Sequence, residues 1–145
     1  MKATTGLMIL AVLLAFSNVA AAAADPNFYV FLCFGQSNMD GAGKIEPQDQ
    51  TVSQRFQVLA TLDDAERDRT KGHWYPAVPP LCRPTGGLGP ADYFGRTLAA
   101  GLPEHITVGV VNVAVPGCKI DLFEKDTFQA YAETAPPWMK NFNFL

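Results

Sequence analysis

The residue most able to do chemistry in this sequence is Ser37, which follows an unbroken apolar run in the segment Gly35-Gln36-Ser37-Asn38. A serine at such a place is either part of a turn or the nucleophile of a hydrolase, and its position alone favours neither. As a nucleophile it would need a general base, a group that orients the base, and hydrogen-bond donors for the oxyanion. Those components must come from elsewhere in the fold.

Backbone N–H groups are the first candidates for the oxyanion donors. Ser37 supplies one, and Gly117, after a second apolar run, could supply another because it has no Cβ to obstruct a close approach. Gly117 is equally compatible with a plain turn. The pattern differs from the G-x-S-x-G elbow of α/β-hydrolases, since Met39 stands where the second glycine would be.

The general base is the difficult component, because the chain has only two histidines, His73 and His105. His105 directly precedes the second apolar run, and a strand there would hold it roughly 30 Å from Ser37 at ~3.3 Å per residue. His73 lies among prolines and glycines with no carboxylate at a helical or turn spacing, so we interpret it as a surface or stacking residue. No D-x-x-H motif occurs in the chain.

Two apolar runs and one helix must position Ser37 and Gly117. Residues 28–34 and 106–115 are apolar on both faces and rich in aromatic or β-branched side chains, which is typical of central parallel strands. Residues 90–100 should form the intervening helix, with proline at its first position and glycine just past its end. The carboxyl ends of two parallel strands share one edge, where open α/β sheets place their sites. Ser37 and Gly117 should therefore meet.

The rest of the chain carries weaker patterns. Residues 56–61 could form a short strand, and one helical turn is expected near residues 128–134. Residues 35–50 and 72–89 have the proline, glycine and polar content of irregular loops.

Residues 1–24 have the layout of a secretory signal peptide: Lys2, a short apolar core from Leu7 to Phe16, and an alanine run before Asp25. The core is too short to span a bilayer, which takes ~20 residues; an uncleaved N-terminal anchor is the alternative. We expect a mature chain without a stable membrane span. Removing Lys2 leaves 10 of the 11 basic residues against 14 acidic ones, with no basic cluster, which argues against a nucleic acid partner.

The cysteines are Cys33, Cys82 and Cys118, an odd number without a C-x-x-C motif or zinc-ligand spacing. This pattern disfavours a disulfide framework, a metal site and redox chemistry. One bridge in an oxidising compartment and three buried thiols fit equally well.

The segment GQSNMDG after an apolar strand resembles block I of the SGNH/GDSL-like hydrolases. More narrowly, it is similar to the sialate O-acetylesterase-related carbohydrate esterases, which include bacterial acetylxylan esterases. The resemblance continues through HWYPAVPPL, GLGPADYFGRTLA, VGVVNVAVPGCKIDLF and AETAPPWMK, and so covers essentially residues 28–145. It implies an α/β, SGNH-hydrolase-like (flavodoxin-like) three-layer fold with a parallel sheet. It also implies that Ser37 is the nucleophile and that the Gly117 N–H donates to the oxyanion.

Two parts of the family pattern do not occur in this sequence: a Q-G-E-type segment that completes the oxyanion hole, and a D-x-x-H that supplies acid and base. Residues 25–145 are therefore expected to be the N-terminal portion of a truncated esterase domain, incomplete in this chain. We expect this portion to be inactive alone and to fold poorly, because the sheet would keep an uncovered edge over a small core.

The resulting hypothesis is a secreted or periplasmic serine esterase that removes O-acetyl groups from sugars or polysaccharides such as xylan, without a metal or organic cofactor. Trp74, Tyr75 and Trp138 could line its sugar site, or simply pack the loops that carry them. The alternative is a catalytically incomplete remnant, or a fragment of such an esterase that at most binds glycan.

Overall fold

The computed structural model describes residues 23–140, within which four strands form one sheet in the order β1-β4-β2-β3. The strands are β1 (Phe28–Gly35), β2 (Phe56–Leu59), β3 (Trp74–Pro76) and β4 (Thr107–Ala114). β4 runs parallel to β1 and β2, whereas β3 is antiparallel to β2. The helices are α1 (Ser37–Asp40), α2 (Pro90–Gly101), α3 (Phe128–Thr134) and α4 (Pro137–Lys140), with 3₁₀ turns at Pro47–Gln50, Ala65–Arg67 and Ile120–Phe123. The expected α/β architecture is confirmed.

Helix α2 covers one face of the sheet. Beneath it lie the fully buried side chains of β2 and β4 together with alanines of the helix: Phe56, Val58, Val108, Val110, Ala91 and Ala99. The contact is close at Gly95, where a Cβ would lie 1.9 Å from a carbon of the Phe56 ring. Any larger residue at this position would push the helix off the sheet.

Both ends of α2 are held by polar groups. Pro90 stands at the first helical position, where the missing N–H removes no helical hydrogen bond, and Asp92 Oδ2 accepts from the Gly89 N–H at 2.9 Å. At the other end the Arg55 guanidinium donates to the Ala99 carbonyl and, at 2.9 Å, to that of Ile106. Arg55 thereby satisfies a carbonyl that the helix leaves unpaired and ties α2 to the start of β4.

Within residues 23–140, the opposite face of the sheet is covered near the carboxyl ends of its strands and is open farther back. A second buried cluster forms at the carboxyl ends from the segment after β4 and the last helices: Val115, Leu122, Ala135 and Met139. The rings of Phe34 and Phe123 meet at 5.0 Å between centroids. Farther back along β1, Val30 and Leu32 are 53% and 64% exposed. Within the described residues the expected third layer is therefore present in part.

Three local expectations were wrong. Within residues 23–140, β1 lies at the edge of the sheet rather than at its centre, because β4 is its only neighbour there. The segments expected to be irregular loops contain α1 and β3, because four-residue and three-residue elements between glycines and prolines leave no periodic pattern. Helix α2 extends through Gly101 instead of ending before it.

Among residues 23–140, no helix combines the length and apolar character that crossing a membrane requires. The expected signal peptide, residues 1–24, lies almost wholly outside the described part of the chain.

Candidate active site

Ser37 is the first residue of α1, immediately beyond the carboxyl end of β1. The turn between strand and helix is tight: the Met39 and Asp40 N–H groups both donate to the Gln36 carbonyl at 2.9 Å. A Cβ on Gly35 would lie 3.0 Å from the Met39 Cβ, so the turn favours glycine there. The sequence thus folds to present Ser37 at the sheet edge where α/β proteins place their chemistry.

The Gln36 amide holds the Ser37 hydroxyl. Gln36 Oε1 accepts from Ser37 Oγ at 2.8 Å and from the Ser37 N–H at 3.1 Å. The same N–H is one of the two expected oxyanion donors. A substrate carbonyl that needs this donor must therefore displace the Gln36 amide oxygen.

The segment that contains Gly117 adjoins the Ser37 turn. The Val115 N–H donates to the Gly35 carbonyl at 3.2 Å, and Cys118 Sγ lies 3.6 Å from the same oxygen. Gly117 has φ +74°, a left-handed conformation that glycine adopts without strain. The structure thus brings the two segments expected to meet into direct contact through Gly35.

Neither histidine approaches Ser37. The His73 carbonyl accepts from Ala60, just past β2, and His73 is exposed at the start of β3. β3 is three strands from β1, or ~14 Å at ~4.8 Å per strand. His105 precedes β4 at the opposite edge, as expected.

Asp40 and Arg83 form a site contact that sequence reasoning missed. Arg83 Nε donates to Asp40 Oδ1 at 2.8 Å, and Arg83 Nη2 donates to Asp40 Oδ2 at 2.5 Å. The guanidinium thus bonds to both carboxylate oxygens. Only 4% of the Asp40 side chain and 17% of the Arg83 side chain are exposed. A pair 43 positions apart in the sequence leaves no local signal.

Two glycine-rich segments lie face to face beside the Ser37 turn. Gly43 and Leu88 exchange backbone hydrogen bonds at 3.0 and 2.8 Å, and the Gly87 N–H donates to the Gly41 carbonyl at 2.8 Å. Gly41 has φ +94°, and a Cβ on it would lie 2.6 Å from the Gly87 carbonyl oxygen. The glycines of these segments therefore permit a close backbone contact that fixes the chain after α1.

Two of the three aromatic residues expected near a sugar site, Trp74 and Tyr75, lie away from Ser37. Trp74 packs edge-to-face on Phe28 at 4.7 Å, and the Tyr75 hydroxyl accepts from the Thr70 N–H at 2.8 Å. Both residues belong to β3, on the far side of the sheet from Ser37. The side chain of Trp138 lies outside the described part of the chain. A substrate contact by any of the three stays a prediction.

All three cysteines are free thiols. Burial raises the pKa of Cys33 and of Cys118, and it raises the pKa of Cys82 to about 12. A raised thiol pKa lowers the thiolate fraction and with it nucleophilic reactivity. Among residues 23–140, no three or more His, Cys, Asp and Glu side chains gather where they could hold a metal ion.

Comparisons with known proteins identify a family model and a similar solved structure. The family model described as "Carbohydrate esterase, sialic acid-specific acetylesterase" matches residues 27–140. Among solved structures, the chain is similar to a protein from Arabidopsis thaliana determined by X-ray diffraction at 1.6 Å, with a TM-score of 0.52 and 18% identity. The match covers 82% of this chain and 52% of that one, so this chain spans about half the length of the solved protein. At this identity the structural likeness supports the fold alone.

Proposed function

Because the chain belongs to the sialic acid-specific acetylesterase family of carbohydrate esterases, we propose that it forms the nucleophile-bearing part of a serine esterase that removes O-acetyl groups from a carbohydrate. The observation that carries the proposal is the placement of Ser37 at the carboxyl end of β1, in contact through Gly35 with the segment that contains Gly117.

In this proposal Ser37 Oγ attacks the carbonyl carbon of the acetyl group and transfers its proton to a general base. The N–H groups of Ser37 and Gly117 donate to the oxygen as it becomes negative, after the Gln36 amide has moved aside. The base then protonates the departing sugar oxygen, and water hydrolyses the acetyl-serine in a second half-reaction.

The general base is proposed to be a histidine outside residues 1–145. His73 precedes β3, three strands away from β1, and His105 precedes β4 at the amino ends of the parallel strands. Neither can therefore take the Ser37 proton. A base supplied by further polypeptide is compatible with a chain that spans about half of its solved structural relative.

The experiment is acetate release by the full-length protein from acetylated xylan and from an aryl acetate. Ser37→Ala should reduce the release to the level of a blank. Ser53→Ala is the matched control, because Ser53 is exposed and its hydroxyl only accepts from the Arg55 N–H at 3.2 Å. Full activity in the Ser37→Ala protein would overturn the assignment.

The cellular place of the reaction is proposed to be the secreted or periplasmic space, on the basis of the pattern in residues 1–24. Mass spectrometry of the exported protein should find a mature chain that begins close to Asp25. Recovery of the protein in the cytosol with its original N-terminus would contradict this proposal.

A second candidate is favoured by the distance of both histidines from Ser37: residues 1–145 alone would bind an acetylated glycan without cleaving it. Binding of acetylated but not deacetylated xylo-oligosaccharide, with no acetate released, would support it. Acetate release by this chain alone would refute it.

A further inference from the structure

The Asp40–Arg83 ion pair is more enclosed than the other buried carboxylate pair in the described chain. In the pair of Asp64 and Arg67, 30% of the arginine side chain is exposed, against 17% for Arg83. Removing two charges from water costs several kcal/mol per ion, and apolar residues of similar volume often stabilise a fold as well or better. The stability of the fold is therefore a poor explanation for this pair.

What a two-pronged arginine–carboxylate contact supplies is orientation, because two parallel hydrogen bonds fix the plane and direction of both groups. Asp40 is the last residue of α1 and lies three residues after Ser37, which is about one helical turn. A contact that fixes Asp40 therefore also limits rotation of α1 about its own axis, and that rotation would swing the Ser37 hydroxyl.

Besides the packing of Met39 against the core, the other polar contacts that join α1 to distant parts of the described chain are long or lie past its end. Asn112 Nδ2 donates to the Met39 carbonyl at 3.4 Å, which is long for a hydrogen bond. The Gly87 N–H bonds to the Gly41 carbonyl, beyond the end of the helix. Among the described residues, the Asp40–Arg83 contact is the side-chain ion pair that joins α1 to the rest of the structure.

We propose that Arg83 is a positioning residue for the reaction: it holds α1 through Asp40 so that Ser37 Oγ faces the place where the acetyl carbonyl must lie. The inference rests on the proposed esterase function. Arg83 touches no reacting atom in this role, and its effect on the rate passes through the orientation of Ser37.

The test compares Asp40→Asn and Arg83→Lys with wild type in the full-length protein, using aryl acetate hydrolysis. Asp40→Asn removes the charge, and Arg83→Lys keeps the charge but removes the two-pronged geometry. Each should lower kcat by about 10- to 100-fold, since a displacement of about 1 Å in a reacting group can cost this much. KM should change by less than about threefold if binding contacts are untouched.

The matched control is Asp64→Asn, which breaks a comparable ion pair in a 3₁₀ turn away from Ser37. Asp64→Asn should lower the melting temperature by about as much as Asp40→Asn does, and it should leave kcat within about twofold of wild type. The double variant Asp40→Asn/Arg83→Lys should lose no more activity than the single variant with the lower kcat, because both substitutions act on one contact. An unchanged kcat in Arg83→Lys, or an equal loss in Asp64→Asn, would overturn the positioning role.

Hydrogen exchange separates failure of this inference from failure of the proposed function. In Arg83→Lys, amides of residues 35–43 should exchange at least about tenfold faster than in wild type, with residues 107–114 unchanged. If wild type releases no acetate, the esterase assignment fails and this measurement alone decides the positioning of α1. Exchange in residues 35–43 that is equal in Arg83→Lys and wild type would overturn the inference in either case. If Asp40→Asn does not fold, the test is made with Arg83→Lys alone.

Discussion

Replacing Asp92 with asparagine should remove a pH dependence of stability that burial of this carboxyl group imposes. Asp92 is 1% exposed at the start of α2; Oδ2 accepts from the Gly89 N–H, and Oδ1 has no hydrogen-bond partner within the described structure. Burial raises the pKa of Asp92 from 3.8 to about 6, and the nearby Asp49 charge adds to the rise. The Gly89 hydrogen bond and the Arg96 charge oppose it without cancelling it.

The sign follows from the two pKa values. Between 3.8 in the unfolded chain and about 6 in the folded one, the folded state binds the proton more tightly, so the free energy of unfolding falls as pH rises. From about pH 4.5 to about pH 7.5 the loss from this one group is about 2 kcal/mol. Asp92→Asn cannot ionise and removes the loss, while its amide can still accept the Gly89 hydrogen bond.

Urea unfolding of wild type and Asp92→Asn at several pH values measures the effect. The stability of the variant minus that of wild type should rise by about 2 kcal/mol between about pH 4.5 and about pH 7.5. Any constant cost of the buried amide cancels from this change. A flat difference for Asp92→Asn would refute the reasoning, since it would mean that burial does not hold the proton.

Three further substitutions test packing and surface exposure. Gly95→Ala should lower the free energy of unfolding by about 1–3 kcal/mol, because a Cβ there meets a buried ring. Gly101→Ala, whose Cβ meets nothing within 4 Å, should be neutral or up to ~1 kcal/mol stabilising, and equal melting temperatures for the two variants would contradict the packing argument. Leu32→Lys should change stability by less than about 0.5 kcal/mol, because the side chain is exposed. It should also reduce self-association in sedimentation velocity, because a charge protects an apolar edge strand; an unchanged distribution of species would count against this.

The elements that position Ser37 could be predicted because each is a continuous sequence pattern with recognisable residues at its ends. β1 and β4 are long apolar runs, and α2 begins at a proline that starts helices well. Their order along the chain fixes the shared edge without knowledge of packing. The position of β1 at the edge of the described sheet could not be inferred in the same way, since an apolar strand gives the same pattern whether or not a second strand pairs with it.

The contacts that hold the Ser37 turn in place could not be predicted, because they join distant parts of the sequence. Asp40 and Arg83 each look like an ordinary charged residue in a glycine-rich loop until the fold brings them together. The same holds for Gly41 and Gly87, whose close backbone contact depends on the path of two loops. Local propensity carries no information on such pairs, whereas it carries much on strands and helices.

Orientation and activation of Ser37 depend on different parts of the polypeptide. Gly35, Asp40 and Arg83, which orient it in this proposal, lie within residues 23–140, and neither His73 nor His105 reaches its hydroxyl. A serine hydroxyl without a base is a weak nucleophile at neutral pH, so an oriented turn alone adds little rate. A base brought to this turn would meet a hydroxyl that the Gln36 amide and the tight turn already hold in one region, so less freedom would be lost on the way to the transition state. The rate of the proposed esterase should therefore depend steeply on the Asp40–Arg83 contact only when the base is present.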